Sequence, residues 1–291
     1  MKKRIVTLVV LISLVLVACQ ERQLLETKQV TTNEVIVKNT MEQEEIAQKV
    51  EEENNEYINA KNSTKNSSYI SIIFEDRSRE ERDKNGNLLL TVTSNIPIVA
   101  IPDNEEASQK INAYYQESEK KQEEKIKEYI EYATDNFTLL NTDQVKYWNG
   151  YGLGDIYSSK RVDQTVISIV DDTYEYAGGA HPNTTRSAQN FDTMTGNLLM
   201  LKDVLTDEEK GRQFIIDYLL KKMKESEDKV GFFEDYESSA KDILTDQTWY
   251  FSDEGLVVIS NVYIVSPYAA GIQEYVIPYS EFPYLKEKYV L

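Results

Sequence analysis

The chain has 291 residues, 41% of them hydrophobic, which is enough apolar mass for one large or two small folded domains. Its 32 Lys and Arg against 50 Asp and Glu give a formal charge of −18, so nucleic acid and anionic lipid surfaces repel it and a basic partner is favoured. With one Cys and one His, the chain cannot assemble a Cys/His zinc cluster, an iron–sulfur cluster or an internal disulfide framework, and no cofactor is expected.

Lys2, Lys3 and Arg4 precede an apolar run from Ile5 to Val17, too short to span a bilayer comfortably but suited to a signal-peptide core. The run ends in Leu16-Val17-Ala18-Cys19, which resembles the lipobox of bacterial lipoproteins: small or aliphatic residues ahead of a cysteine whose sulfur takes a diacylglycerol. Residues 1–18 are therefore expected to be a cleaved signal peptide, with Cys19 as the lipidation site. Cleavage would remove three cations and no acid, taking the charge from −18 to −21. The expected location is the outer face of the cytoplasmic membrane, held through lipid alone, and the Lys, Asn, Ile and Glu usage suggests a Gram-positive source. After Cys19, residues up to 68 are rich in Glu, Gln, Asn, Lys and Thr and poor in aromatics, so 19–68 reads as a flexible tether.

Tyr69 to Glu75 and Leu88 to Thr93 read as paired strands around an Asp83-Lys84-Asn85-Gly86 turn. Ile96 to Pro102 reads as another strand or an edge segment, because Pro97 cannot donate to a central ladder. Asn104 is a good N-cap for a helix running to about Asn136, whose polar middle, Ser118 to Lys125, should face water or carry a break. These elements make a first lobe, 69–141. A second lobe, 142–291, begins with Gly150-Tyr151-Gly152-Leu153-Gly154, read as a loop because a nucleotide-binding glycine loop would need a following Lys-Ser or Lys-Thr. Val162 to Asp171 is apolar on both parities and reads as a strand covered on both faces. Hairpins follow at Ala188–Leu201 and Thr248–Val265. Between them lie a helix opened by Thr206-Asp207-Glu208-Glu209, with Phe214, Ile215, Tyr218, Leu219 and Met223 as its stripe, and a shorter helix within Glu234 to Leu244. Gln273 to Ile277 is the last strand. The fold class is α+β: two lobes, each a mainly antiparallel sheet with packed helices.

The most unusual stretch is Tyr174-Glu175-Tyr176-Ala177-Gly178-Gly179-Ala180-His181-Pro182-Asn183. With Asn190-Phe191-Asp192, Thr195-Gly196 and Leu201-Lys202-Asp203-Val204-Leu205 it resembles the extracellular domain of RsiV-type anti-sigma factors that sense lysozyme. It is also similar to the N-terminal part of PdaC-type peptidoglycan deacetylases. Ser266-Pro267-Tyr268-Ala269-Ala270-Gly271 and Ile277-Pro278-Tyr279-Ser280-Glu281 fit the same domain, and the first lobe resembles the companion domain that precedes it. The resemblance covers about Tyr69 to Leu291 and implies a basic, lysozyme-like protein or peptidoglycan as partner. Only Met1 to Arg4 precede the apolar run, too little to hold a sigma factor, and a deacetylase metal site needs paired histidines where this chain has His181 alone.

His181 could act as a general base if Asp171 or Asp172 oriented it, but a structural role in pinning its loop is favoured. No spacing among the acids singles out a glycosidase pair, so a binding protein is expected and a hydrolase with an unidentified carboxylate site is the rival. Among 20 tyrosines, several sit beside loops, and tyrosine suits both protein hot spots and sugar stacking. The candidate ligand-binding residues are Tyr174, Tyr176, Gly178, Gly179 and His181 on one loop, and Pro267, Tyr268 and Gly271 on another.

Overall fold

The computed structural model describes residues 69–291; the signal peptide, Cys19 and the tether of the sequence reading lie outside them. Strands β1 (Ser71–Asp76), β2 (Arg79–Arg82) and β3 (Leu88–Ala100) are followed by helix α1 (Glu105–Thr138). Strands β4 (Tyr151–Val162), β5 (Val166–Tyr176) and β6 (Asn183–Asp192) precede helix α2 (Glu208–Glu225). The chain then closes with β7 (Trp249–Phe251), β8 (Gly255–Ser260) and β9 (Gln273–Pro278). The fold is α+β. One mixed sheet of six strands runs β1-β3-β4-β5-β6, with β2 beside β3, and a separate antiparallel sheet runs β7-β8-β9.

Several elements depart from the sequence reading. Leu88–Thr93 and Ile96–Pro102 form one strand, β3, with β2 paired to its first half and β1 to its second. Pro97 sits where β4 does not reach, since β4 pairs only with residues 90–94, so the missing N–H breaks no ladder on that side. Gly150–Gly154 is no loop: Tyr151 to Gly154 are the start of β4. The strand read at Val162–Asp171 is β5, shifted to 166–176. Asp207 rather than Thr206 caps α2, accepting from Lys210 N at 3.1 Å. The parallel β3–β4 pairing crosses the expected lobe boundary at 141/142, so strands from both sides of it share the first sheet.

The two faces of the first sheet meet different partners. Ile111 and Tyr115 of α1 pack on Ile167, Ile169 and Phe191, while Ile126 and Ala133 pack on Leu90, Val92 and Leu153. On the other face Val170 and Ala188 meet Tyr250, Val257 and Ile259 of the second sheet. Each such fully buried aliphatic side chain contributes about 1.5–3 kcal/mol.

The polar middle of α1 does not break the helix: Lys120, Lys121 and Glu124 face water, and other residues of the run bond the sheet. Glu119 pairs with Arg77 at 2.8 Å, Glu123 with Arg79 at 2.8 Å, Ser94 Oγ donates to Gln122 Oε1 at 3.1 Å, and Lys125 pairs with Glu175. Part-exposed ion pairs of this kind contribute at most about 1 kcal/mol each, so they fix the helix's register on the sheet more than they hold it there. On the helix-facing side of β4 and β5 lie two carboxylates. Burial, with the Glu175 charge opposed by Lys125, pushes Asp155 up to about 6. Burial and the Asp155 and Asp172 charges push Asp171 up to about 8, and its Oδ1 is buried without a hydrogen-bond partner.

An acid that holds its proton more tightly folded than unfolded stabilises the fold most at low pH. That contribution is lost as pH climbs from the ordinary aspartate value of 3.8 to about 8. Wild-type protein should lose on the order of 3–5 kcal/mol of unfolding free energy across that window. Asp171→Asn should remove most of the loss, leaving only the Asp155 component below about pH 6, and should melt above wild type in alkaline buffer. Calorimetric melting across pH checks this; an unchanged pH profile in the variant would refute it.

Candidate functional site

The β5–β6 turn and the segment between β8 and β9 come from different sheets, and one side chain joins them. Asn261, just past β8, accepts Arg186 N on its Oδ1 at 2.7 Å and donates its Nδ2 to Arg186 O at 2.9 Å, clamping the loop base to β6. The two loops then meet. His181 stacks on Tyr268 with ring centroids 3.9 Å apart and planes 15° from parallel. Its Nδ1 lies 2.7 Å from Pro182 O and so carries the proton, leaving Nε2 to accept from Tyr263 Oη at 3.2 Å.

Backbone geometry explains the glycines. Gly178 and Gly179 adopt φ of +91° and +99°, and Gly271 +70°, conformations that side chains disfavour. Gly178 and Gly179 form the β5–β6 turn, where Gly179 O accepts from Tyr176 Oη at 3.3 Å. Pro267 opens a single helical turn, Tyr268–Ala270, that Gly271 closes by donating its N–H to Tyr268 O at 3.0 Å. Tyr263 is left-handed at φ +67° without being glycine, which costs about 1–2 kcal/mol, and that geometry accompanies its reach to His181. Tyr263 and Ile264 are exposed, as is Phe233, whose N–H donates to Val265 O at 2.9 Å. Exposed Glu234, Asp235 and Glu237 follow Phe233 in the chain.

His181 has a carbonyl and a phenol as partners, not a carboxylate. Of the two aspartates considered as its orienter, Asp172 is bound bidentately by Arg186 at 2.6 and 2.8 Å, and Asp171 belongs to the helix-facing side. Among the described residues no three His, Cys, Asp or Glu side chains gather as a metal set.

Tyr174 and Tyr176 belong elsewhere, to a cleft of about 470 Å³ on the face of the first sheet opposite α1. Its floor is Gly152 and Gly154 of β4, over which the Tyr174 ring lies: a Cβ at Gly152 would stand 2.7 Å from Tyr174 Cε1, and one at Gly154 3.2 Å from Tyr174 Cβ. Thr91 and Thr93 of β3 bound one side and Asp172 the other. The sequence signal for this cleft is the period-two spacing of Gly150, Gly152 and Gly154, which puts bare backbone on one face of a strand.

The chain carries two matched family segments. Residues 83–184 match the model described as "Deacetylase PdaC", and residues 202–280 match "Protein of unknown function (DUF3298)". The two matches correspond to the two domains of the pair that the sequence resembles, and the PdaC match includes the Gly178–Pro182 turn. A crystal structure of a member of the DUF3298 family from Bacteroides fragilis NCTC 9343 is 19% identical with a TM-score of 0.59, covering 76% of this chain and 96% of that one. This likeness is one of fold. A DUF3298 family protein from Pseudomonas aeruginosa PAO1 is 14% identical with a TM-score of 0.48, over 77% of this chain and 97% of that one. No curated protein matches the chain.

Asn261→Ala removes both bonds between the loop and β6 and should cost about 1–3 kcal/mol. Faster amide exchange should be confined to residues 177–182 and 261–272. Exchange rising equally across β5 and β8 would show that Asn261 supports the fold at large rather than the loop pair.

Proposed function

We propose that this chain is a lipid-anchored extracytoplasmic binding protein that captures a basic protein, with lysozyme as the type of partner, on the paired loops that carry His181 and Tyr268. The observation that carries the reading is the convergence of those loops: His181, Tyr268 and Tyr263 form one contact group, with exposed Phe233 and Ile264 as further apolar anchors. Rigid aromatic anchors with a charged surround are the composition of protein hot spots, because tyrosine brings area and a polar tip while losing little rotamer freedom. The acidic field of the chain supplies steering toward a cation-rich surface. Enzymatic activity is not part of the proposal, since His181 has no carboxylate orienter. The anchor is Cys19, and among the described residues no helix is long and apolar enough to cross a membrane.

Calorimetric titration with lysozyme at low salt tests the partner. Wild-type protein should bind, the association rate should fall as ionic strength rises, and Tyr268→Ala should lose about 2 kcal/mol or more of affinity with little change in melting temperature. No binding at low salt removes lysozyme as ligand, and an affinity loss matched by a melting loss assigns the loops to folding. Separately, Cys19→Ala should abolish incorporation of labelled fatty acid; a label that persists removes the anchor.

A further inference from the structure

The cleft on β3, β4 and β5 is chemically distinct from the loop surface. None of its lining residues is Lys or Arg, in a chain of formal charge −18. Its carboxylate, Asp172, accepts one bond on each oxygen from Arg186, and a carboxylate offers about four acceptor positions, so two remain for a ligand. Arg186 is also shared with Glu274 at 3.0 Å, which leaves two acids against one guanidinium and a net negative group. The glycine floor seats Tyr174 flat along β4, and the residue is 40% exposed, so ring surface is presented to the cleft. The Thr91 and Thr93 hydroxyls add acceptors that carry no charge. The site therefore joins an aromatic platform, spare carboxylate acceptors and a negative potential, with no resident cation in its lining.

We infer that the cleft receives an arginine side chain of a basic protein partner, its guanidinium lying against Tyr174 and donating to Asp172 and the threonine hydroxyls. The inference rests on the reading of the chain as a binder of basic proteins and names what the partner presents. Arginine fits better than lysine because a guanidinium is planar, weakly hydrated and able to stack while donating in its own plane, whereas an ammonium is a compact, strongly hydrated point charge. A neutral sugar ring could stack on the platform and donate a hydroxyl to Asp172, but it would gain nothing from the net negative potential, which favours a cation. The volume of about 470 Å³ lies within the ~300–1,000 Å³ of small-ligand sites.

The full chain is titrated by NMR with Nα-acetyl-arginine methylamide, its citrulline counterpart, which keeps the shape and loses the charge, and cellotriose. The arginine compound should bind in the millimolar range, with citrulline at least about tenfold weaker and cellotriose weaker still. Tyr174→Leu and Gly152→Ala should each reduce arginine binding about tenfold or more. Gly152 has an ordinary φ, so alanine suits its backbone, and its Cβ would displace the tyrosine ring. Equal citrulline binding, cellotriose binding in place of arginine, or full arginine binding by folded variants overturns the inference. If lysozyme binds wild type and the arginine compound does not, only the cleft assignment fails. If the arginine compound binds and lysozyme does not, only the named partner fails.

Discussion

Strand β5 has to be covered on both faces over its first half and on one face over its second, and the arrangement of the layers follows from that. Val166 to Val170 are fully buried, alternating between α1 on one side and the second sheet or α2 on the other. From Asp172 onward the residues are polar or aromatic and none is fully buried. A strand so written can be sandwiched for five residues and no further, because covering the second-sheet face at Asp172 would bury a carboxylate whose guanidinium partner, Arg186, is shared with Glu274. The second sheet's cover gives way there, and the cleft occupies the face left open.

The opposite face shows another way of covering a polar strand end. Glu175 lies under α1 and is tolerated because Lys125 and Tyr129 both bond to it. Asp171 has no such partner and stays protonated to about pH 8 instead. Two acids on the same face of one strand thus meet burial by different means, ion pairing and retention of the proton. The polar run of α1 follows from this: a helix with apolar residues from 118 to 125 would cost Arg77, Arg79 and Glu175 one ion-pair partner each.

Elements whose cause is local were legible in the sequence. Asn104 caps α1, the stripe through Ile215, Leu219 and Met223 is buried, and the Gly178–Gly179 and Pro267–Gly271 segments are turns shaped by positive φ. Elements whose cause is distant were not. Ser94 and Asn95 looked like the gap between two strands, yet both lie inside β3. Ser94 bonds Gln122 across the layer, and Asn95 exchanges two bonds with the Tyr157 backbone, so polar side chains that normally interrupt a strand are satisfied 28 and 62 residues away. Tyr151–Gly154 read as loop for the same reason: its glycines are compatible with a strand only because Tyr174 covers them. The β3–β4 pairing across the boundary expected near 141 was not legible either, because a parallel pairing leaves no trace in either segment alone.

Arg186 connects the loop pair to the cleft. Its guanidinium holds Asp172 at the cleft wall and Glu274 on β9, while its backbone N–H and C=O are the two groups that Asn261 grips at the base of the loop carrying Tyr263 and Tyr268. A ligand drawing on Asp172 would therefore pull on the residue whose main chain sets the second loop. The stiffness of β6, paired with β5 along ten residues, limits how far that pull can move it. Arg186 thus joins the two surfaces through one side chain and one strand position.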